Sequence, residues 1–167
     1  MNNSTRDEKT SYQRYRDGET TPQVLLTIAL VLAARRWRSL LDEKLRPMNQ
    51  SAARMEAMGA IISSPPLSPQ VDIARRLRIE GPTLTRMLDS LESDGLVLRV
   101  PDPADRRTKQ LKLTAQGENA LEEVFNVADE MRQRLLESFT DDQIDQMNVF
   151  CWELVRRLDG RLPDGAL

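Results

Sequence analysis

The sequence predicts a mainly α chain with one small β-hairpin, on three observations. Apolar residues recur at three- and four-residue spacing over most of the chain, the period of a helix with one buried face. Two short helical stretches in the middle are separated only by Arg78-Ile79-Glu80-Gly81-Pro82. The second is followed by two strand-like runs, Leu96-Val97-Leu98-Arg99-Val100 and Thr108 to Leu113, around the loop Pro101-Asp102-Pro103-Ala104-Asp105-Arg106-Arg107. Two helices joined by a tight turn, then a hairpin with a basic tip, make a winged helix-turn-helix. The long helices on either side are left for another task.

Residues 1–21 are polar and charged, with Tyr12 and Tyr15 as the only large groups, and read as a flexible N-terminal arm. Thr21-Pro22 supplies a helix start with proline in the first turn. The helix that follows runs to Arg46, and Val24, Leu26, Leu30 and Val31 make its first half apolar almost all round. Such a helix must be covered on all sides, and a partner chain is the simplest cover. Pro47 ends it; Asn49-Gln50-Ser51 caps a second helix reaching about Ile62, which Ser63-Ser64-Pro65-Pro66 breaks.

Ser68-Pro69 carries the N-cap plus first-turn proline signature of the next helix, Pro69 to Leu77. The second helix of the motif covers Thr83 to Glu92, and Gly95 suits a left-handed C-cap. After the hairpin, Thr114 opens a long helix with Leu121, Val124, Phe125, Ala128, Met131, Leu135 and Leu136 on one stripe. Thr140 caps the last helix, which carries Ile144, Met147, Phe150, Cys151, Leu154, Val155 and Leu158. The expected organisation is an arm over 1–21, a dimerisation helix over 22–48, the winged unit over 49–113 and C-terminal dimerisation helices over 114–167.

Composition narrows the chemistry. The chain has no histidine and a single cysteine, Cys151. Within one chain this excludes Ser-His and Cys-His catalysis, histidine-held metals, an intrachain disulfide and multi-cysteine clusters. Asp141, Asp142 and Asp145 read as helix-start acids, so no enzyme, cofactor or metal site is expected. Cys151 lies on an apolar stripe and reads as a core residue. The longest apolar run, Val24 to Ala34, is about half the roughly 20 residues a bilayer span needs, and Arg35-Arg36 closes it. A soluble, cytoplasmic protein without signal peptide or membrane partner is expected.

Net charge is −2, which by itself argues against a nucleic-acid partner. Its distribution argues otherwise: residues 114–167 carry five basic and twelve acidic groups, whereas residues 69–113 carry nine basic and seven acidic. Local charge sets the field that phosphates meet.

In the winged segment, Ala74 leaves room for the second helix to cross closely, with Ile73, Leu77, Ile79, Leu84, Leu88 and Leu91 as shared core. Pro82, Thr83, Thr85, Arg86 and Asp89 are left on the outer face, the part of such a helix that enters a major groove. Arg86 can contact a guanine bidentately, and Thr83 and Thr85 a phosphate, a base edge or a thymine methyl. Alternatively, Arg86 pairs with Asp89 or Glu92 on a solvated face. At the hairpin tip, Asp105 can hold a neighbouring guanidinium while Arg106 and Arg107 project toward a minor groove. Ser68, Gln70, Arg78 and Lys109 are further candidate DNA contacts. A winged-helix module that docks a protein instead of specific DNA is the alternative function.

These residues resemble the MarR family of transcriptional regulators, and the recognition segment resembles its SlyA-like branch. The resemblance rests on Ile79 through Glu92, on Asp94-Gly95-Leu96-Val97, on Asp102-Pro103-Ala104-Asp105-Arg106-Arg107 and on Leu111-Lys112-Leu113-Thr114-Ala115-Gln116-Gly117. Trp37-Arg38, Leu45 and Pro47 fit the family's first helix. It implies a homodimer whose outer helices interlock and set two winged lobes on a palindromic operator in double-stranded DNA, with Arg86 in the major groove and Arg107 in the minor groove. It further implies a repressor relieved by a small aromatic carboxylate or phenolic effector, with Trp37, Arg38, Arg54, Met55 and Met58 as candidate ligand contacts. The bland reading makes Trp37 core and Arg38 a surface ion pair. Arg78 departs from the family's usual glycine and costs about 1 kcal/mol if its backbone is left-handed.

Overall fold

A computed structural model describes residues 9–101 and 109–160. The chain forms two compact units, Met1–Val124 and Phe125–Leu167, and the helix α6 runs through the boundary. The element order is α1 (Ser11–Arg16), α2 (Pro22–Leu45), a 3-10 turn (Arg46–Met48), α3 (Ala52–Ile62), α4 (Gln70–Leu77), α5 (Gly81–Ser93), β1 (Val97–Pro101), β2 (Lys109–Leu113), α6 (Ala115–Leu136) and α7 (Asp141–Asp159). The mainly helical winged helix-turn-helix expected from the sequence is the observed fold.

Most helix starts follow the capping chemistry of the sequence. The hydroxyls of Thr21, Ser51 and Thr140 accept from the amides of Val24, Arg54 and Gln143, and Gln143 returns the bond to the Thr140 amide. One start differs. Pro69 stands at the N-cap itself, and the Ser68 hydroxyl donates to the Pro65 carbonyl at 2.7 Å instead of capping α4. The Pro65–Ser68 turn claims that hydroxyl first, so α4 begins without a side-chain cap. The α4–α5 connection is also tighter than expected, because Gly81 and Pro82 already belong to the first turn of α5. A proline there gives up only an amide that has no helical partner.

Within the N-terminal arm, Ser11–Arg16 forms a helix that the sequence reading did not anticipate. Thr10 and Gln13 make a reciprocal capping box, and Lys9 bridges Asp17 and Glu19, raising the ammonium pKa through those hydrogen bonds.

The core of the first unit lies beneath the winged segment. Ala57, Met58 and Ile61 from α3, Ile73 and Ala74 from α4, and Leu84, Leu88 and Leu91 from α5 meet Leu96, Val97, Leu111 and Leu113 from the hairpin. The strands are antiparallel, with Val97 opposite Leu113 and Arg99 opposite Leu111. Beyond β2 the chain before α4 adds a single bridge, Pro69 to Gln110, and the Leu111 amide donates to the Ser68 carbonyl. The first turn of α4 is thereby pinned to the wing.

The junction into α6 is equally tight. Thr114 donates its hydroxyl to the Gly95 carbonyl at 2.6 Å and accepts from the Gly117 amide at 2.9 Å. A Cβ at Gly117 would sit 2.0 Å from the Leu96 carbonyl oxygen, so no larger residue fits without moving backbone. Gly95 has φ +72°, the left-handed cap that the sequence suggested.

Two helical surfaces are apolar and uncovered. On α2, Leu25, Leu26, Ile28, Leu30, Val31 and Leu32 are exposed, while Leu41 and Leu45 further along are buried. In the second unit Met147, Val149, Phe150, Trp152 and Leu158 of α7 are exposed. Cys151 is exposed as well, which corrects the expectation of a core cysteine: its apolar stripe is exposed rather than packed into the core. On the polar side of α7, Arg156 and Arg157 both donate to Glu153 and hold its carboxyl down at about 2.

Candidate nucleic-acid interface

Helix α5 presents a face bounded by Pro82, Thr83, Thr85 and Arg86, all exposed, above the buried row Leu84, Leu88 and Leu91. The periodicity that buries one row leaves the other to solvent. The Thr85 hydroxyl is fixed from two sides. It donates to the Gly81 carbonyl at 3.0 Å and accepts from the Gln70 side-chain amide at 2.7 Å. Gln70 and Thr85, both expected from sequence, are therefore one unit spanning the two helices of the motif. Gln70 and Lys109 also line an open groove of about 570 Å³ between the start of α4 and the wing, together with Pro69 and Arg75.

Arg86 makes no hydrogen bond or ion pair among the described residues. The acids expected to compete for it are taken by another residue. Arg99 of β1 pairs with Asp89 Oδ1 at 2.7 Å and Glu92 Oε2 at 2.7 Å, and donates to the Thr85 carbonyl at 3.1 Å. At the other end of this helix, Asp94 pairs with Arg54 of α3 at 2.6 Å, and Arg54 also donates to Ser90 Oγ and Gln50 Oε1. Both clamping arginines have largely covered side chains, 17% exposed for Arg99 and 14% for Arg54. The carboxylates on α5 thus face inward partners, and the outward cation is left to solvent.

Arg99 was missed by the sequence reading, although a signal was there. Val97, Leu111 and Leu113 are buried, and Arg99 is paired with Leu111, so it stands at a core-facing register position of β1. Leu98, one residue earlier, points the other way and is half exposed. A strand whose alternation runs apolar in, apolar out, charged in marks a cation with a task beneath the surface.

Arg78 has φ +54° and caps α4, so the left-handed backbone that the sequence left open is realised. Asp105, Arg106 and Arg107 lie outside the described residues. Among the effector candidates, Trp37 is half-buried and Arg38 pairs with Glu56 at 2.5 Å. Met58 is wholly buried and Met55 packs against the same core, while Arg54 serves the clamp just described. No helix among the described residues is long and apolar enough to cross a membrane, and none of their His, Cys, Asp or Glu groups could hold a metal ion.

Comparison with known proteins agrees with this geometry. The MarR family model matches residues 51–109, from the cap of α3 to the wing. Among solved structures, a mutant of E. coli MarR complexed with operator DNA is 26% identical, with TM-score 0.71, covering 78% of this chain and 94% of that one. The S. aureus MepR–DNA complex is 25% identical with TM-score 0.73, covering 80% and 97%. The transcriptional repressor CouR, bound to a 23-mer DNA duplex, is 28% identical with TM-score 0.73, covering 80% and 94%. With its winged fold and its outward recognition face, the chain matches the MarR family model over residues 51–109 and is similar in fold to these DNA-bound regulators.

Proposed function

We propose that the protein is a homodimeric regulator that binds a palindromic operator, with α5 in the major groove and the wing in the minor groove. The observation that carries this reading is Arg86, without a partner among the described residues, on an exposed face whose helix acids Asp89 and Glu92 are both held by Arg99. A cation so placed keeps its full hydrogen-bonding capacity for a guanine edge. Thr83 and the fixed Thr85, with Gln70 and Lys109 beside them, supply contacts to phosphate and base edges, and Ser68 and Arg78 flank them. Arg107 of the wing enters the minor groove, with Asp105 holding one of the two neighbouring guanidinium groups. Within the family we place the chain nearest the SlyA-like branch, on Ile79 through Glu92.

The exposed apolar residues of α2 and α7 support dimerisation through 22–48 and 114–167, since contiguous apolar patches on soluble proteins mark interaction surfaces. The protein works in the cytoplasm as a repressor relieved by a small aromatic carboxylate or phenol. Trp37 supplies an aromatic wall, and a carboxylate reaches Arg38 by displacing Glu56. Three of the solved structures similar to this chain hold DNA, which supports the mode of binding.

Duplex binding measured by fluorescence anisotropy across a salt series tests the reading. Affinity falls steeply and linearly with salt on logarithmic axes, as phosphate neutralisation requires. Arg107→Ala weakens binding strongly at moderate salt with the dimer intact. Arg86→Ala loses about 1–3 kcal/mol of discrimination at particular base pairs. Binding that is equally weak for every sequence and untouched by both substitutions identifies a protein-docking module instead.

A further inference from the structure

We infer that Arg99 is a positioning residue for base reading, which sequesters Asp89 and so keeps Arg86 of the recognition helix free for DNA. The inference rests on the proposal that α5 reads a major groove, and adds a residue outside the reading face to that task.

Arg86 and Asp89 are three residues apart on α5, the spacing at which helical side chains of opposite charge pair. Both are exposed, so nothing steric keeps them apart. Arg86 nevertheless has no partner among the described residues, and Asp89 is bound to Arg99 at 2.7 Å. The competition goes to Arg99 for physical reasons. Its guanidinium is largely covered, so its charge is less screened than that of an exposed arginine. It is also already oriented by two further bonds, to Glu92 Oε2 and the Thr85 carbonyl, so capturing Asp89 orders little additional side chain. Arg99 in turn is fixed by its inward register on β1, opposite Leu111. Without it, Asp89 would have Arg86 as its nearest helical partner, and Glu92 would be left without its guanidinium.

The arrangement also ties recognition helix to wing. The Thr85 carbonyl bonded to Arg99 belongs to the residue whose hydroxyl is held by Gln70, so one guanidinium touches the backbone of α5 beside its reading side chains. A shift of β1 moves the clamp on Asp89 with it.

The test uses the full-length protein and the duplex that wild type selects from a random-sequence pool, with the ratio of Kd on scrambled to consensus duplex as readout. Arg99→Gln lowers that ratio by roughly tenfold or more, the size of a lost bidentate base contact, with the loss concentrated at the base pairs that Arg86→Ala also affects. Adding Asp89→Asn to Arg99→Gln restores the ratio to that of Asp89→Asn alone, because the competing carboxylate is gone. Adding Arg99→Gln to Arg86→Ala costs nothing further in the ratio. A merely structural arginine gives none of these three couplings. If Arg99→Gln does not fold, Arg99→Lys takes its place, since a single ammonium cannot serve two carboxylates and a carbonyl at once; its smaller loss is likewise cancelled by Asp89→Asn. A selective wild type whose ratio is unmoved by these changes at Arg99, or is lowered and not restored by Asp89→Asn, overturns the inference alone. A wild type that selects no consensus overturns the DNA-reading proposal and this inference with it.

Discussion

Single residues in this chain carry constraints out of proportion to their size. Gly117 is the clearest, because α6 starts against the backbone of Leu96 with no room for a methyl group. Gly117→Ala therefore forces α6 away from the hairpin and destabilises the winged unit by about 1–3 kcal/mol, the usual cost of overpacking, as read by denaturant melts at fixed protein concentration. Unchanged stability there contradicts the close approach. The Leu-Thr-x-x-Gly pattern was visible in the sequence only as a family signature. Its physical content is the Thr114 hydroxyl bonding both sides of the junction and a glycine that lets them touch. Arg86 was an open choice between DNA and a surface ion pair, and the neighbouring acids alone could not decide it. The deciding residue, Arg99, lies thirteen positions away by numbering on another element, where sequence spacing along a helix cannot see it.

At the scale of elements, local chemistry made most boundaries legible. Caps written in short polar side chains at Thr21, Ser51 and Thr140 place three helix starts, and alternation places the hairpin. At α4 the boundary differed because a preceding local turn had claimed the signalling group, the Ser68 hydroxyl donating to the Pro65 carbonyl. Helix α1 escaped notice because it has no buried residue, and so no apolar period; its reciprocal Thr10–Gln13 cap was the available signal. The same motif at Thr140–Gln143 starts α7, which has no buried side chain to compensate for its loss. Thr140→Ala costs about 1 kcal/mol in a denaturant melt, the usual value of such a cap, while Thr140→Ser costs little. Equal melts for the alanine and serine variants contradict the role of the cap.

The whole molecule divides into a well-buried winged unit and helices whose apolar faces lie open. Leu84, Leu88, Leu91 and Val97 are fully buried, while Leu32 is 59% and Trp152 is 70% exposed. The apolar first half of α2 was legible in the sequence, and its large side chains are exposed in the structure. The effector contacts were less legible, because Trp37, Arg38, Arg54, Met55 and Met58 were grouped by likeness and proximity in sequence. In the structure Arg54 is a strut for α5 and Met58 is core, while Trp37 is half-buried and Arg38 pairs with Glu56. The central claim is that two copies of this chain read a two-fold site. Selecting bound sequences from a randomised duplex pool with the purified protein tests it most directly. The account predicts an enriched palindrome whose half-sites lie about one helical turn, roughly 10 base pairs, apart. A single unrepeated half-site, or no enrichment at all, contradicts it.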